Sequence, residues 1–185
     1  MDGSTISSTS KTALGNPCGA PIRSPIASLS HGSKSTIARP RARGFAVVAL
    51  VNPKTPANIG GAMRAAGCYG GAMVVLGGPR PERLSRLPTD TQRAWRHIPH
   101  VLVADVFDAI PFDCIPVAVD LLPGAQPLPA YTHPERAFYI FGAEDATLSH
   151  AIVLRCRDKV VVPTTYCMNL AATVNVVLYD RLAKQ

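Results

Sequence analysis

The sequence predicts an α/β domain over residues 45–185, a single parallel sheet with helices on both faces. Three observations carry that expectation. Short continuous apolar runs recur along the chain, as strands covered on both faces require. Helix-permissive stretches separate them, which is the rhythm of a parallel sheet. Residues 1–44 contain neither pattern. Taken in order, Phe45–Val51 reads as a buried strand, closed by Asn52-Pro53, and the Ala-rich residues 57–68 read as a helix. Residues 72–76 form a second strand, ended by Gly77-Gly78-Pro79. Residues 101–103 continue the sheet, followed by a short helix at 105–110 and strands at 115–119 and 137–141. A helix at 148–156, a strand at 159–162 and a last helix at 169–183 complete the domain. On that last helix Leu170, Val174, Val177, Leu178 and Leu182 share one face, suited to packing on a sheet or a partner subunit.

Length and composition bound the rest. At 185 residues the chain holds one domain with a tail. No run of about 18 apolar residues predicts a transmembrane helix, and the start lacks the basic and apolar regions of a secretory signal. Cys18, Cys68, Cys114, Cys156 and Cys167 are scattered without a C-x-x-C pair. That argues against a disulfide scaffold or a metal site and for a reducing, cytoplasmic compartment. The net charge of +7 is unevenly placed. Residues 1–44 carry nine serines and a net +5, from Lys11, Arg23, Lys34, Arg39, Arg41 and Arg43 against Asp2, which leaves the domain +2. So polar a segment reads as a disordered basic arm. It fits an RNA-attracting arm, an organellar transit peptide, a gene-start artefact or a plain solvated tail.

Three islands carry chemistry. Asn52-Pro53-Lys54-Thr55-Pro56-Ala57-Asn58-Ile59-Gly60-Gly61-Ala62-Met63-Arg64 joins the first strand to its helix, where open α/β sheets place ligands. Asn58 is placed to cap the helix. Arg64, nearly two turns on, is expected on the same side, to clamp a phosphate or sit beside a ribose. A capped helix with one solvated arginine explains the same residues. Phe141-Gly142-Ala143-Glu144-Asp145-Ala146-Thr147-Leu148-Ser149 follows another strand. Its single glycine is no P-loop, so a nucleoside fits better than a triphosphate, with Glu144 and Asp145 accepting from hydroxyl or amino groups. A cap on the next helix, by Thr147 or an acid, is the plainer alternative. In Val160-Val161-Val162-Pro163-Thr164-Thr165-Tyr166-Cys167-Met168-Asn169-Leu170, Asn169 opens the last helix as an N-cap, with or without a ligand-orienting task.

In this order the islands resemble the three motifs of the SpoU/TrmH branch of the SPOUT RNA methyltransferases, over roughly residue 45 to the end. The chain looks most similar in size to the minimal TrmL-type members that methylate a wobble-position tRNA ribose. The resemblance implies a C-terminal trefoil knot, which periodicity has no means of predicting, and S-adenosylmethionine as methyl donor. It implies a homodimer acting on RNA, tRNA ahead of rRNA. Carried over residue by residue, it makes Asn58, Arg64, Glu144 and Asn169 the catalytic set. Asp120, Gly142, Val162, Cys167 and Met168 become the cofactor positions. Two departures touch that pocket: Cys167 stands where the family commonly has serine, and the loop from Pro163 to Met168 is short.

On this reading Arg64 stabilises the developing alkoxide and anchors the adjacent phosphate, since a guanidinium keeps its proton. Arg80, Arg83, Arg86, Arg93 and Arg96, interleaved with Trp95, His97 and His100, are the candidate RNA contacts. A solvated basic helix with Trp95 packed inside is the alternative. Two other classes fit the whole chain: a knotted RNA-binding module without catalysis, and a nucleotide-binding α/β protein of different activity.

Overall fold

The computed structural model describes residues 44–80, 89–91 and 93–185. The basic arm, apart from Gly44, lies outside the described residues, as do Arg83 and Arg86. The chain runs β1 (Phe45–Val51), α1 (Pro56–Tyr69), β2 (Met73–Gly77), β3 (His100–Val103), β4 (Ile115–Val119), β5 (Gln126–Pro127), β6 (Arg136–Phe141), α2 (His150–Arg155), β7 (Asp158–Val161) and α3 (Leu170–Ala183). The seven strands form one sheet in the order β3-β2-β1-β6-β4-β7-β5, and every pairing is parallel.

The period of two along β1 divides the core. Val48 and Leu50 pack with Ile59 and Met63 of α1 and Val174 and Leu178 of α3. Val47 and Ala49 face the other way, among Val106, Leu148 and Val153 of α2. Helices therefore cover both faces. The chain moves outward from β1 to β2 and β3, then crosses to β4 on the other side, so the order reverses beside β1. The crevice outside the carboxyl ends of the strands at such a reversal is where these sheets bind ligands, and all three islands end there.

Some expected elements differ. Residues 105–110 form a 3-10 turn, Val106–Ala109, because the Asp105 carboxylate accepts from Phe107 N and so short a segment gains little from α geometry. The buried stripe of α3 is Leu170, Val174, Val177, Leu178 and Arg181, with Arg181 where Leu182 was expected. Strand β5 was not foreseen: two residues, one a proline, carry no periodic signal. Its placement matters. The β4–β6 connection passes outside β7 to form β5, then returns over the end of α3. There Lys184 Nζ donates to the Leu128 and Tyr131 carbonyls, and Arg181 to those of Pro134 and Glu135. No described helix is long and apolar enough to cross a membrane.

Candidate active site

The first island is organised from outside itself. Thr55, with extended backbone, is the N-cap of α1 and Pro56 its first residue, but the Thr55 side chain does not cap. Glu144, from the loop after β6, does that work instead. Its Oε2 accepts from Lys54 N at 2.8 Å; its Oε1 accepts from Thr55 N at 3.1 Å, Thr55 Oγ1 at 2.9 Å and Asn58 Nδ2 at 2.5 Å. Three of these four bonds converge on Oε1 and one falls on Oε2, so the carboxylate ties the first loop and the first turn of α1 to the loop after β6. Burial of the Glu144 carboxyl raises its pKa, but the bonds from Asn58, Lys54 N and Thr55 outweigh that and hold it below the ordinary value.

Asn58 corrects one expectation. It sits in the first turn of α1 rather than at its cap, is only 8% exposed, and its Oδ1 accepts from Asn169 Nδ2 at 2.7 Å. Asn169 is the N-cap foreseen for α3, its Oδ1 accepting from Ala172 N at 3.2 Å. The line Glu144–Asn58–Asn169 thus joins the three islands through side chains far apart in sequence. Gly61 allows it: a Cβ there would stand 2.6 Å from Ala171 Cβ, so glycine lets α1 approach the first turn of α3.

Two clefts, each of about 60 Å3, open beside this line. Asp120, Val161, Val162, Thr164, Met168 and Thr173 line one; Phe141, Gly142, Glu144, Met168, Leu170 and Thr173 contribute to the other. Four of the five expected cofactor positions, Asp120, Gly142, Val162 and Met168, are therefore together, while Cys167 is exposed and absent from both linings. Asp120 braces the walls, accepting from Leu121 N and, at 2.7 Å, from Leu148 N. A side chain on Gly142 would meet Asp120 Oδ2 at 2.7 Å and Ala146 O at 3.1 Å. A larger hollow of about 560 Å3, off the β5–β7 edge among Gly124, Gln126, Arg157 and Lys159, touches none of the islands.

Arg64 does not face the same way as Asn58. Six residues advance a helix about 240° beyond a full turn; Asn58 points inward and Arg64 is exposed, with no hydrogen bond or ion pair to another described residue. Asp145 meets Lys54 Nζ at 3.4 Å and Arg80 NH1 at 3.0 Å, and the Arg80 bond holds the Asp145 carboxyl below its usual range. Arg80, expected on RNA, is thus already paired. Arg93 and Arg96 are exposed, the Arg96 guanidinium 5.2 Å from the Trp95 ring centre. Trp95 is 37% exposed rather than packed inside, and the buried Asp90 carboxylate caps its turn through Ala94 N and Trp95 N. Lys54, Thr55 and Thr173 join the site without having been foreseen. Only the flanking Pro56 and Asn169, as helix-start signals, hinted that the first and last would lie near helix ends.

The sequence model of the SpoU rRNA Methylase family matches residues 46–179. No curated protein matches the sequence. Among solved structures, the SpoU methyltransferase AviRb from Streptomyces viridochromogenes is similar at 21% identity and a TM-score of 0.68, over 79% of this chain and 62% of that one. An AdoMet-bound rRNA methyltransferase from Sinorhizobium meliloti is similar at 20% identity and a TM-score of 0.66, over 77% and 57%. A protein described for 2-OH methylation of C/U34 on tRNA is 22% identical, with a TM-score of 0.64, over 76% of this chain and 91% of its own. The chain spans less than two thirds of the length of AviRb and of the Sinorhizobium meliloti protein.

Proposed function

The chain belongs to the SpoU rRNA Methylase family, and from that premise we propose that it methylates a ribose 2′-hydroxyl of RNA, using S-adenosylmethionine. The observation that carries this reading is the Glu144–Asn58–Asn169 line, which gathers three motif loops at the carboxyl edge of the sheet beside a glycine-walled cleft. The cofactor fits by chemistry: strand-end backbone at Val119, Phe141 and Val161, the open wall at Gly142, and Met168 against an apolar or sulfonium group. Bound there, S-adenosylmethionine supplies an activated methyl.

The protein's part is positioning and charge. Glu144, committed to Lys54 N, Thr55 and Asn58, is a positioning residue that holds the first loop on α1. Asn58 and Asn169 set the separation of α1 and α3. Arg64 is the catalytic residue, its free guanidinium stabilising negative charge on the ribose oxygen and holding the neighbouring phosphate. Arg93, Arg96 and Trp95, all exposed, are the further candidates for RNA contact. The route of the β4–β6 connection outside β7 and back over α3 supports a trefoil knot. Exposed Val176 and Tyr179 on α3, with Tyr179 edge-on to Tyr69 of α1, support a homodimer through these helices. The tRNA protein, matched over nearly its full length, favours tRNA over rRNA. The free thiols of Cys68, Cys114, Cys156 and Cys167 suit a reducing cytoplasm.

One observation favours a second reading, an RNA-binding module without catalysis. Clefts of about 60 Å3 fall short of the ~300 Å3 of ordinary ligand pockets, so Met168 and Thr173, which both clefts share, must part before a cofactor enters. Nucleoside mass spectrometry of tRNA and rRNA incubated with the protein and labelled S-adenosylmethionine decides between them. A 2′-O-methylated nucleoside is expected, and R64A is expected to lower kcat ~10²-fold while stability stays within about 0.5 kcal/mol. Methylation unchanged in R64A would remove Arg64 from the mechanism.

A further inference from the structure

Tyr166 stands apart from every other aromatic side chain near the candidate site. It is 84% exposed, and no ring contact joins it to another described residue. Nor is it on a remote loop: it lies between Thr164 and Met168, both of which line the cleft at the ends of β4 and β7. The loop is closed locally, because Thr164 Oγ1 donates to the Tyr166 carbonyl at 2.8 Å. That bond occupies the backbone of Tyr166 and leaves its ring at the rim. Thr164, Thr165 and Cys167, its neighbours along the chain, are exposed as well. Leaving so large an apolar face in water, on the segment that walls the cleft, gains nothing for the fold.

We propose that Tyr166 is a stacking platform for an unstacked nucleobase of the RNA at or next to the target ribose, and so a positioning residue for substrate. The inference rests on the reading of the protein as an RNA-modifying enzyme. Exposed aromatic rings are the usual means of holding splayed-out bases, and they tolerate sequence because every base has a π-face. A stack at the rim orients the attached ribose without consuming a hydrogen bond from the Glu144–Asn58–Asn169 line. It assigns substrate recognition to the third motif loop, alongside that loop's contact with the cleft.

The test is fluorescence anisotropy of end-labelled bulk tRNA with the full chain carrying Tyr166→Ala, Tyr166→Phe or Tyr166→Trp. Because the ring is exposed, these variants should fold, and calorimetric S-adenosylmethionine binding unchanged from wild type checks that they do. Tyr166→Ala is expected to weaken tRNA binding ~5- to 150-fold, the range stacking on one base gives, while Tyr166→Phe and Tyr166→Trp retain it. Equal affinity in all four proteins overturns the stack, as does an equal loss in Tyr166→Ala and Tyr166→Phe, which would assign the effect to the hydroxyl. Mass spectrometry of wild-type product tests the enzymatic reading separately, so a failed stack and a failed activity give different results.

Discussion

Two polar networks hold this chain together, one at each end of the sheet, and they serve opposite ends. At the carboxyl ends buried Asn58, half-buried Glu144 and exposed Asn169 lie beside two clefts and join loops. At the amino ends Arg181, 4% exposed, donates to the Pro134 and Glu135 carbonyls and to the Tyr139 hydroxyl. His133 lies between Tyr139 at 2.6 Å and Asp180 at 2.8 Å, and Tyr131 reaches Asp158 at 2.9 Å. The first network spends its bonds on loop geometry and leaves two small clefts beside it. In the second, the bonds of Arg181 and His133 close around α3, while Tyr131 and Asp158 line the larger hollow off the β5–β7 edge. Similar chemistry thus joins the motif loops at one end of the sheet and ties α3 to the sheet at the other.

The comparison breaks most readily at Arg181. R181M leaves buried carbonyls and the Tyr139 hydroxyl without their charged donor, and is expected to cost about 3–5 kcal/mol in urea unfolding. A loss below 1 kcal/mol would mean that the network follows the fold rather than holding it. E144A should cost less, about 1–3 kcal/mol, yet abolish measurable S-adenosylmethionine binding by calorimetry, because Lys54 and Thr55 lose their anchor. Normal cofactor binding in E144A would separate the line from the site.

The smallest effect is one of pH. Burial lowers the pKa of His133 against the opposing pull of Asp180, with Arg181 and Lys184 adding to the lowering. A depressed folded pKa means stability that is complete above the ordinary histidine value, about 6.5, and is lost as pH falls below it. Glu144 follows the same sign lower down, from about 4.3 toward its depressed value. Acid should therefore weaken the network around α3 first and the site second. In a pH series of urea midpoints, H133Q should flatten the fall that begins below about pH 6.5, and E144Q only the fall below about 4.3.

Much of the fold was legible because its signals are local. The apolar run of β1, the Ala-rich α1 and the Asn169 cap each lie within a few residues, and each appears within one or two positions of where it was expected. β5 was not, since a Gln-Pro pair becomes a strand only when β7 is alongside. The burial of Arg181 was equally invisible, because its acceptors, at Pro134, Glu135 and Tyr139, lie more than forty residues away. At the site, residue types and order marked Asn58, Glu144 and Asn169, but not that Asn58 bonds to both of the others.

By itself the sequence determined the strand and helix rhythm, the three islands and their family. Those depend on side-chain type and short spacing, which backbone propensity and hydrophobic period read directly. Only the tertiary structure decided which acceptor each donor takes. It gave Glu144 its donors at Lys54, Thr55 and Asn58, joined Asn58 to Asn169, paired Arg80 with Asp145 and left Tyr166 exposed. Those bonds join residues between 65 and 111 positions apart, separations that parallel strand packing closes and no local pattern encodes.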